Sequence, residues 1–304
     1  MTPTHPRMIR GIRVFRLLQY APWCWLRGGL DLLHDFSEEV IQIDEFLSHS
    51  WRDVAWMKYV NILYLNNGSC AFLLGTLGSL LALALFQAGV LPEWRGMHWN
   101  YWSCQWCTLF GILAHYLTIV LFLRQKRVFL DIACIDQSSE EQKGSGLVSM
   151  GAILKSSKSM LVLWCPSYVT RLWCIFELSA FLHSQKSEEH ARMNLRVCPP
   201  MLGPALMVIH VSLSVMAMLY LALRGAFGDF TVLIGGSLVV PFFCLTSYSV
   251  RSYFRSIDVL EGQVRSVSIE TCTSGCCVQG IGIGIASTST CSAKGAPSWG
   301  DLRP

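Results

Sequence analysis

Four long apolar segments constrain the fold of this chain more than any other feature of its sequence. None of them contains Asp, Glu, Lys or Arg, and they run from Cys70 to Leu91, Cys104 to Leu123, Leu202 to Leu223 and Phe230 to Val250. A helix needs about 20 apolar residues to cross the hydrocarbon core of a bilayer. We therefore predict four transmembrane α-helices in two hairpins. The competing interpretation is a set of buried helices in a soluble protein.

The distribution of Lys and Arg predicts the orientation of these helices. If the segments form two hairpins, 22 of the 24 Lys and Arg residues lie on one side, and only Arg95 and Arg224 lie in the short connecting loops. Loops rich in Lys and Arg stay on the cytosolic side of a membrane. We expect a multi-pass protein in the lipid bilayer, with both termini and residues 124–200 in the cytosol. On that side the Asn-Gly-Ser sequence at Asn67 is expected to be an unglycosylated turn.

Residues 1–40 form a basic amphipathic segment. The first 30 residues contain five arginines and no acid, and four of these arginines recur at helical spacing: Arg7, Arg10, Arg13 and Arg16. This pattern predicts an interfacial helix. Mitochondrial presequences are also rich in arginine and poor in acids, so a mitochondrial location is the alternative.

The remaining composition argues against several functional classes. The net charge of +4 is small and dispersed, so we expect no nucleic-acid partner. The apolar segments hold His115 and His210 but no carboxylate or permanent cation, which makes a channel or transporter the least favoured function. Cys104 and Cys107 form one isolated CxxC pair, from which we predict no metal site. Residues 251–304 are expected to be a cytosolic helix followed by a disordered tail.

The polar parts of the chain, residues 41–68 and 124–200, alternate strand and helix patterns. The segments "VIQIDEFLS", "KRVFLDIA" and "SMLVLW" have strand patterns, and the last is apolar throughout, as in a buried parallel sheet. The segment "NLRVCPP" is a candidate short fourth strand. This alternation predicts an α/β domain with a flavodoxin-like parallel sheet. The first hairpin, residues 69–123, interrupts the domain, and the second, residues 201–250, follows it.

Three segments of this domain together resemble Toll/interleukin receptor (TIR) domains. The segment "DEFLSHSWRD", residues 44–53, is similar to the opening strand and its Ser-His-rich loop. The segment "VFLDIACIDQ", residues 128–137, resembles the second strand leading into the BB loop. The segment "LVLWCPSYVTRLWCIFEL", residues 161–178, resembles the Ser/Cys-Pro-x-Tyr and Trp-Cys-x-x-Glu pattern. The resemblance covers less than a third of the chain, and the inserted hairpin departs from the family pattern.

The resemblance implies a site in the loops beyond the carboxyl ends of the strands. Some TIR domains hydrolyse NAD with a glutamate four residues after the tryptophan of the third segment, and Trp173 and Glu177 have this spacing. Glu177 is therefore the implied catalytic residue, expected at the mouth of a cleft. The implied NAD-binding residues are Phe46, His49, Arg52, Asp131 and Trp173. NAD would be a substrate, no cofactor is required, and the segment from Cys134 to Ser145 would be the BB-like loop.

Three functional hypotheses remain open at this point. The first is a membrane-anchored TIR-like signalling or scaffold protein that acts through self-association of its cytosolic domain. The second is an NAD hydrolase on the same fold, with Glu177 as its catalytic carboxylate. The third and least favoured is a channel or transporter with a regulatory domain. Structural alternatives also stand, because Glu177 could be a surface acid, Trp173 a core residue and Asp131 a cap of the following loop.

Overall fold

The chain is an α/β structure with six strands and ten helices in its described part. The computed structural model describes residues 8–27, 30–52, 54–92, 105–136, 139–185, 187–227 and 231–266. The strands are β1 (Arg10–Arg13), β2 (Ser37–Glu39), β3 (Ile43–His49), β4 (Arg127–Phe129), β5 (Ser157–Leu163) and β6 (Leu195–Cys198). The helices are α1 (Val14–Arg27), α2 (Ala55–Gln87), α3 (Gln105–Leu121), α4 (Asp131–Cys134), α5 (Glu140–Val148), α6 (Met150–Lys155), α7 (Leu172–Ser184), α8 (Glu188–Asn194), α9 (Leu202–Phe227) and α10 (Thr231–Arg265). The predicted tail and Cys104 lie outside the described residues.

All six strands form one mostly parallel sheet in the order β2-β1-β4-β3-β5-β6. β3 lies between β4 and β5 and pairs parallel with both, and β6 pairs parallel with β5. The predicted parallel pairing of the three main strand segments is confirmed, although α2 and α3 separate β3 from β4 in the chain. The predicted fourth strand is also confirmed. Most positions of β3 and β5 are buried, which is typical of parallel strands covered on both faces.

Residues 10–13 of the N-terminal segment extend the sheet as a strand where a helix was predicted. Arg10 and Arg13 lie on β1, which pairs antiparallel with β2 and β4, and Ile12 between them is fully buried. Without β1, the backbone of β4 would be an unpaired sheet edge. The helical interpretation is therefore wrong for Arg10 and Arg13, because edge pairing outweighs a short periodic pattern. Arg16 lies in α1, and Arg7 lies outside the described residues.

Two of the described helices are long and apolar enough to cross a membrane. They are α2 and the Leu202–Leu223 part of α9, which contain 18-residue stretches with mean hydropathies of 2.1 and 2.2. These two candidates support membrane association by length and composition, so two of the four predicted spans meet this criterion. α3 matches the second predicted segment but has 17 residues. α10 covers residues 231–250 of the fourth segment and continues without a break to Arg265.

α2 joins the α/β domain to the first apolar segment as one helix of 33 residues. The predicted turn at Asn67 is absent, because the Asn67 side chain donates to the carbonyl oxygen of Ile119 at 2.9 Å and holds α2 against the end of α3. Further along, a Cβ on Gly75 would lie 3.2 Å from the carbonyl oxygen of Gly111, so these helices approach closely at small residues. α2 and α3 are thus a tightly packed pair.

The parallel strands define two opposite edges of the sheet. We call the edge where β3, β4, β5 and β6 end the carboxyl edge, and the edge where they begin the amino edge. α2 starts just beyond the carboxyl edge, packs Tyr59, Ile62 and Leu63 on the sheet core, and reaches the end of α3 at Asn67. Since α3 leads directly into the start of β4, the apolar helix pair lies on the side of the amino edge.

Candidate functional site

A buried carboxyl group lies at the carboxyl edge of the sheet. Glu177 is on α7 and is only 4% exposed. Ser48, the last residue but one of β3, donates from its hydroxyl to Oε2 of Glu177 at 2.6 Å. α7 follows β5, and β5 pairs with β3, so the sheet order brings these two residues together. Glu177 is therefore enclosed within the edge, deeper than the predicted position at the mouth of a cleft.

Tyr168 extends this hydrogen-bonded group. Its hydroxyl lies 2.7 Å from the Ser48 Oγ and 3.2 Å from the backbone oxygen of Cys174. The ring is fully buried and stacks on Trp164, with ring centroids 5.1 Å apart. Burial and the neighbouring Glu177 raise the pKa of Tyr168, so its hydroxyl stays protonated. Tyr168 therefore fixes Ser48, which in turn holds Glu177.

The surroundings of Glu177 favour its neutral form. Burial raises the pKa of Glu177 to about 8. The hydrogen bond from Ser48 acts against this rise, the charge of Asp131 adds to it, and Trp173 and Arg171 reduce it. Because this pKa lies above 7, the carboxyl group is mostly protonated at neutral pH. A cationic ligand placed beside Glu177 would lower its pKa and favour the carboxylate.

Asp131 lies at the carboxyl end of the neighbouring strand, β4. The Trp51 indole Nε1 donates to Oδ2 of Asp131 at 2.9 Å, and the backbone N–H of Ile132 donates to Oδ1 at 2.8 Å. Burial raises the pKa of Asp131, although both hydrogen bonds favour the ionised form. Both carboxylate oxygens of Asp131 therefore have partners, and Asp131 connects the loop after β3 to the start of α4. This position agrees with the alternative in which Asp131 caps the following loop.

His49 ends β3 and is buried beside Trp51. The two rings meet edge to face, with centroids 4.3 Å apart. Burial lowers the pKa of His49 well below its ordinary value, and the positive charges of Lys58 and Arg171 lower it further. The imidazole is therefore neutral at pH 7. The Lys58 ammonium donates to the backbone oxygen of Ser50 at 2.5 Å, so a buried cation stands beside this histidine.

The structure brings together only some of the predicted NAD-binding residues. Phe46 belongs to the core, where it stacks on Phe129 of β4 with ring centroids 4.9 Å apart. Arg52 is exposed, and Arg171 is the arginine whose charge acts on the buried acids and on His49. Trp173 is half-buried and packs against the core. His49, Asp131, Trp173 and Glu177 thus share the carboxyl edge, whereas Phe46 packs in the core and Arg52 is exposed to solvent.

Sequence reasoning missed three members of this cluster: Ser48, Tyr168 and Arg171. All three lie inside the segments that carry the resemblance to TIR domains. Ser48 and Tyr168 could have been found as polar residues next to buried strands, because buried hydroxyl groups need hydrogen-bond partners. Arg171 could have been found as the cation closest in sequence to Trp173 and Glu177.

The end of α10 contacts the same edge. The Trp164 indole Nε1 donates to Oε1 of Gln263 at 2.9 Å, and the Gln263 amide donates to the backbone oxygen of Pro166 at 3.1 Å. Leu260, one turn earlier, packs against the core. Because Trp164 stacks on Tyr168, one amide side chain of α10 connects this helix to the group that holds Glu177.

No protein-family model, curated protein or solved structure matches this chain. The resemblance to TIR domains therefore stays a prediction. It rests on the three quoted segments, and the carboxyl edge is where the structure places their polar residues.

Proposed function

We propose that this chain is a membrane-anchored, TIR-like signalling or scaffold protein that acts through self-association of its cytosolic α/β domain. The observation that carries this proposal is an exposed apolar pair at the end of α5, Leu147 and Val148, which are 41% and 75% exposed. This helix contains the last part of the predicted BB-like loop, Cys134–Ser145. Apolar side chains exposed beside a recognition loop are suited to burial against a second copy.

The proposed membrane anchor makes a small interface sufficient for this function. α2 and α9 supply two candidate spans, and we propose that α3 and the first part of α10 complete two hairpins. The excess of Lys and Arg outside the short loops favours a cytosolic α/β domain. Copies held in one membrane meet at a high effective concentration, so a weak contact can become significant. Clustering in the membrane would then act as the signal.

Energy transfer between labelled copies of the full chain in lipid vesicles tests this proposal. We expect energy transfer to rise with protein density beyond the level of random proximity. Val148→Glu should remove the excess, because it places a charge in the proposed contact. Val259→Glu is the matched control, since Val259 is also an exposed helical valine, at 49% exposure, but lies on α10. Energy transfer at the random level for the parent chain, or an unchanged excess in Val148→Glu, would reject self-association through α5.

The second candidate function is hydrolysis of NAD to nicotinamide and ADP-ribose, supported by the environment of Glu177. In this reaction the bond between the ribose and the cationic nicotinamide breaks, nicotinamide leaves as a neutral molecule, and water adds to the ribose with loss of a proton. A carboxylate beside the ribose stabilises the oxocarbenium charge that develops. Glu177 is held by Ser48 next to Trp173 and Arg171, and the nicotinamide cation would favour its ionised form.

Nicotinamide release by the purified full chain tests this second function. Glu177→Gln keeps the shape of the side chain but cannot carry the charge, so we expect a loss on the order of a hundredfold or more. Glu189→Gln on α8 is the matched control, because Glu189 is exposed and lies outside the carboxyl-edge cluster. If the parent releases nicotinamide and Glu177→Gln releases it equally fast, the assignment of Glu177 is wrong. If enforced clustering yields no release from the parent, the chain is not an NAD hydrolase.

A further inference from the structure

An exposed apolar surface at the end of α3 lies directly before the amino edge of the sheet. Near the end of α3, Val120, Leu121 and Leu123 are 64%, 59% and 53% exposed. The next residue is Arg124, and the chain then enters β4 at Arg127. Apolar side chains exposed on a helix and followed at once by cations are typical of the boundary between hydrocarbon and headgroups on the cytosolic side.

β1 places two arginines opposite each other at this edge. Arg13 of β1 is the cross-strand partner of Arg127 of β4. Side chains directly opposite in an antiparallel pair lie on the same face of the sheet, where like charges destabilise the pairing. The two arginines line a cavity of about 250 Å³ together with Asp44 and Gln125. The sheet therefore sets two guanidinium groups around one small space at an unfavourable electrostatic cost.

The acidic group of this cavity already has its partners. The Lys158 ammonium lies 2.7 Å from Oδ1 of Asp44, and the backbone N–H of Arg127 donates to Oδ2 at 2.9 Å. Asp44 therefore makes no ion pair with the guanidinium group of Arg127. Within the described ranges, the guanidinium groups of Arg124 and Arg127 make no hydrogen bond or ion pair with another residue.

Arg13 is only partly satisfied by its neighbours. It donates to Oε1 of Gln125 at 3.0 Å and to Oε2 of Glu38 at 3.4 Å, and the Glu38 side chain is 37% exposed. An exposed ion pair of this length contributes little to stability. The cavity thus keeps an excess of positive charge, which an anion would neutralise while removing the repulsion between the two strands.

We propose that the amino edge binds the headgroup phosphate of an anionic phospholipid, with Arg13 and Arg127 as its ligands and Arg124 at the rim. Guanidinium groups bind phosphate oxygens through paired, charge-assisted hydrogen bonds. A lipid fits better than a free phosphate, because Gln125 of the cavity lies two residues after the exposed Leu123, so acyl chains can lie along the exposed apolar residues at the end of α3. Clusters of cations just outside a membrane helix attract anionic lipids in this way. The inference rests on the proposed membrane anchor but on neither self-association nor NAD hydrolysis.

Thermal stabilisation of the full chain in detergent micelles tests the lipid site. Dioctanoyl phosphatidate is the probe, dioctanoyl phosphatidylcholine is the lipid without net charge, and inorganic phosphate is the soluble anion. A ligand that binds only the folded state raises the unfolding midpoint, and the rise grows with the logarithm of the ligand concentration relative to its Kd. We expect phosphatidate to stabilise the parent at concentrations at which phosphatidylcholine and inorganic phosphate do not.

Variants of single arginines make the test specific. Arg127→Gln should weaken the apparent affinity for phosphatidate on the order of tenfold, and Arg127→Lys should retain part of it because it keeps the charge. Arg124→Gln should weaken it less, and it remains informative if Arg127→Gln does not fold. Arg265→Gln is the matched control, because that side chain is 78% exposed and lies at the other end of the domain. The proposal would be overturned if Arg127→Gln and Arg124→Gln both bound phosphatidate as tightly as the parent does. It would also be overturned if inorganic phosphate stabilised the parent as much as phosphatidate does.

Discussion

The carboxyl edge and the amino edge of the sheet differ in how their charged groups find partners. At the carboxyl edge, Glu177 and Asp131 accept hydrogen bonds from Ser48 and Trp51, and their pKa values are raised mainly by burial. At the amino edge, the guanidinium cation of Arg124 is exposed. A buried charge must find partners inside the protein or be neutralised, whereas an exposed charge can be satisfied from outside. One edge is thus organised by internal contacts, and the other is suited to an external surface.

The largest expected effect is the pH dependence caused by Glu177. Its pKa rises from 4.5 in the unfolded chain to about 8 in the folded state. The folded state therefore retains a proton that the unfolded state loses. The contribution of Glu177 to the free energy of unfolding is complete below pH 4.5 and falls as the pH rises toward 8. The linkage corresponds to about 5 kcal/mol for this group. We expect the stability of Glu177→Gln to lie within about 1 kcal/mol of the parent at pH 5 and to exceed it by several kcal/mol at pH 8.5.

Unfolding midpoints of the parent and Glu177→Gln in detergent micelles, measured from pH 5 to 8.5, check this prediction. The difference between the midpoints of the two proteins separates the contribution of Glu177 from the contributions of Asp131 and His49, whose pKa values also shift. A difference that stays constant over this range would show that Glu177 is not buried in its neutral form. The contrast between the two edges would then lose its main support.

Phe46 provides the second test, because its predicted role and its observed position differ. Phe46 is 1% exposed and stacks on Phe129, so Phe46→Ala should lower the free energy of unfolding by about 3 to 5 kcal/mol. Phe46→Leu should fold and, if the chain hydrolyses NAD, should keep the parent KM for NAD. Chemical denaturation and steady-state kinetics measure the two effects. A Phe46→Leu protein with normal stability and a raised KM would show that Phe46 belongs to the NAD-binding site.

A smaller effect is expected where α10 meets the carboxyl edge. Gln263→Ala removes hydrogen bonds to Trp164 and Pro166, which together contribute about 1 to 3 kcal/mol. Amide hydrogen exchange in residues 161–168 should become faster, and Trp164 fluorescence should report a more solvated indole. Gln185→Ala is the control, since Gln185 lies beyond the end of α7 and its side chain bonds to Ser184 and Asn194. Unchanged exchange in Gln263→Ala would show that α10 does not stabilise this edge.

The central strands could be predicted from the sequence because each has its own strong pattern. β5 ends in a continuous apolar run, Met160–Leu163, that matches a buried parallel strand, and the β3 segment places Ile43, Phe46 and Leu47 among polar residues. β1 could not be predicted, since four residues with two arginines carry no strand pattern of their own. Its position depends on the free edge of β4, which comes more than a hundred residues later. The turn expected at Asn67 fails for a similar reason, because a hydrogen bond to Ile119 offsets the weak helix propensity of asparagine.

The location of the candidate site could be predicted from the sequence, but the burial of Glu177 could not. The spacing of Trp173 and Glu177 places both on one side of a helix, and parallel strands gather their loops at one edge. Neither rule shows how far a side chain is buried. That depth depends on Ser48 and Tyr168, which contact Glu177 only through the sheet order. The same limit explains why Arg52 and not Arg171 was expected beside the acids.

We propose that the amino edge of the sheet faces the membrane and that the carboxyl edge faces away from it. α2 packs on the domain from Ala55 to about Asn67, a rise of about 20 Å at 1.5 Å per residue. A fluorescent label on Arg124→Cys should be strongly quenched by nitroxide-labelled headgroups in lipid vesicles, and the same label on the exposed Arg52→Cys should be quenched weakly. The unsubstituted chain corrects for labelling of native cysteines. Equal quenching at both positions, or stronger quenching at position 52, would contradict the proposed orientation and with it the lipid site.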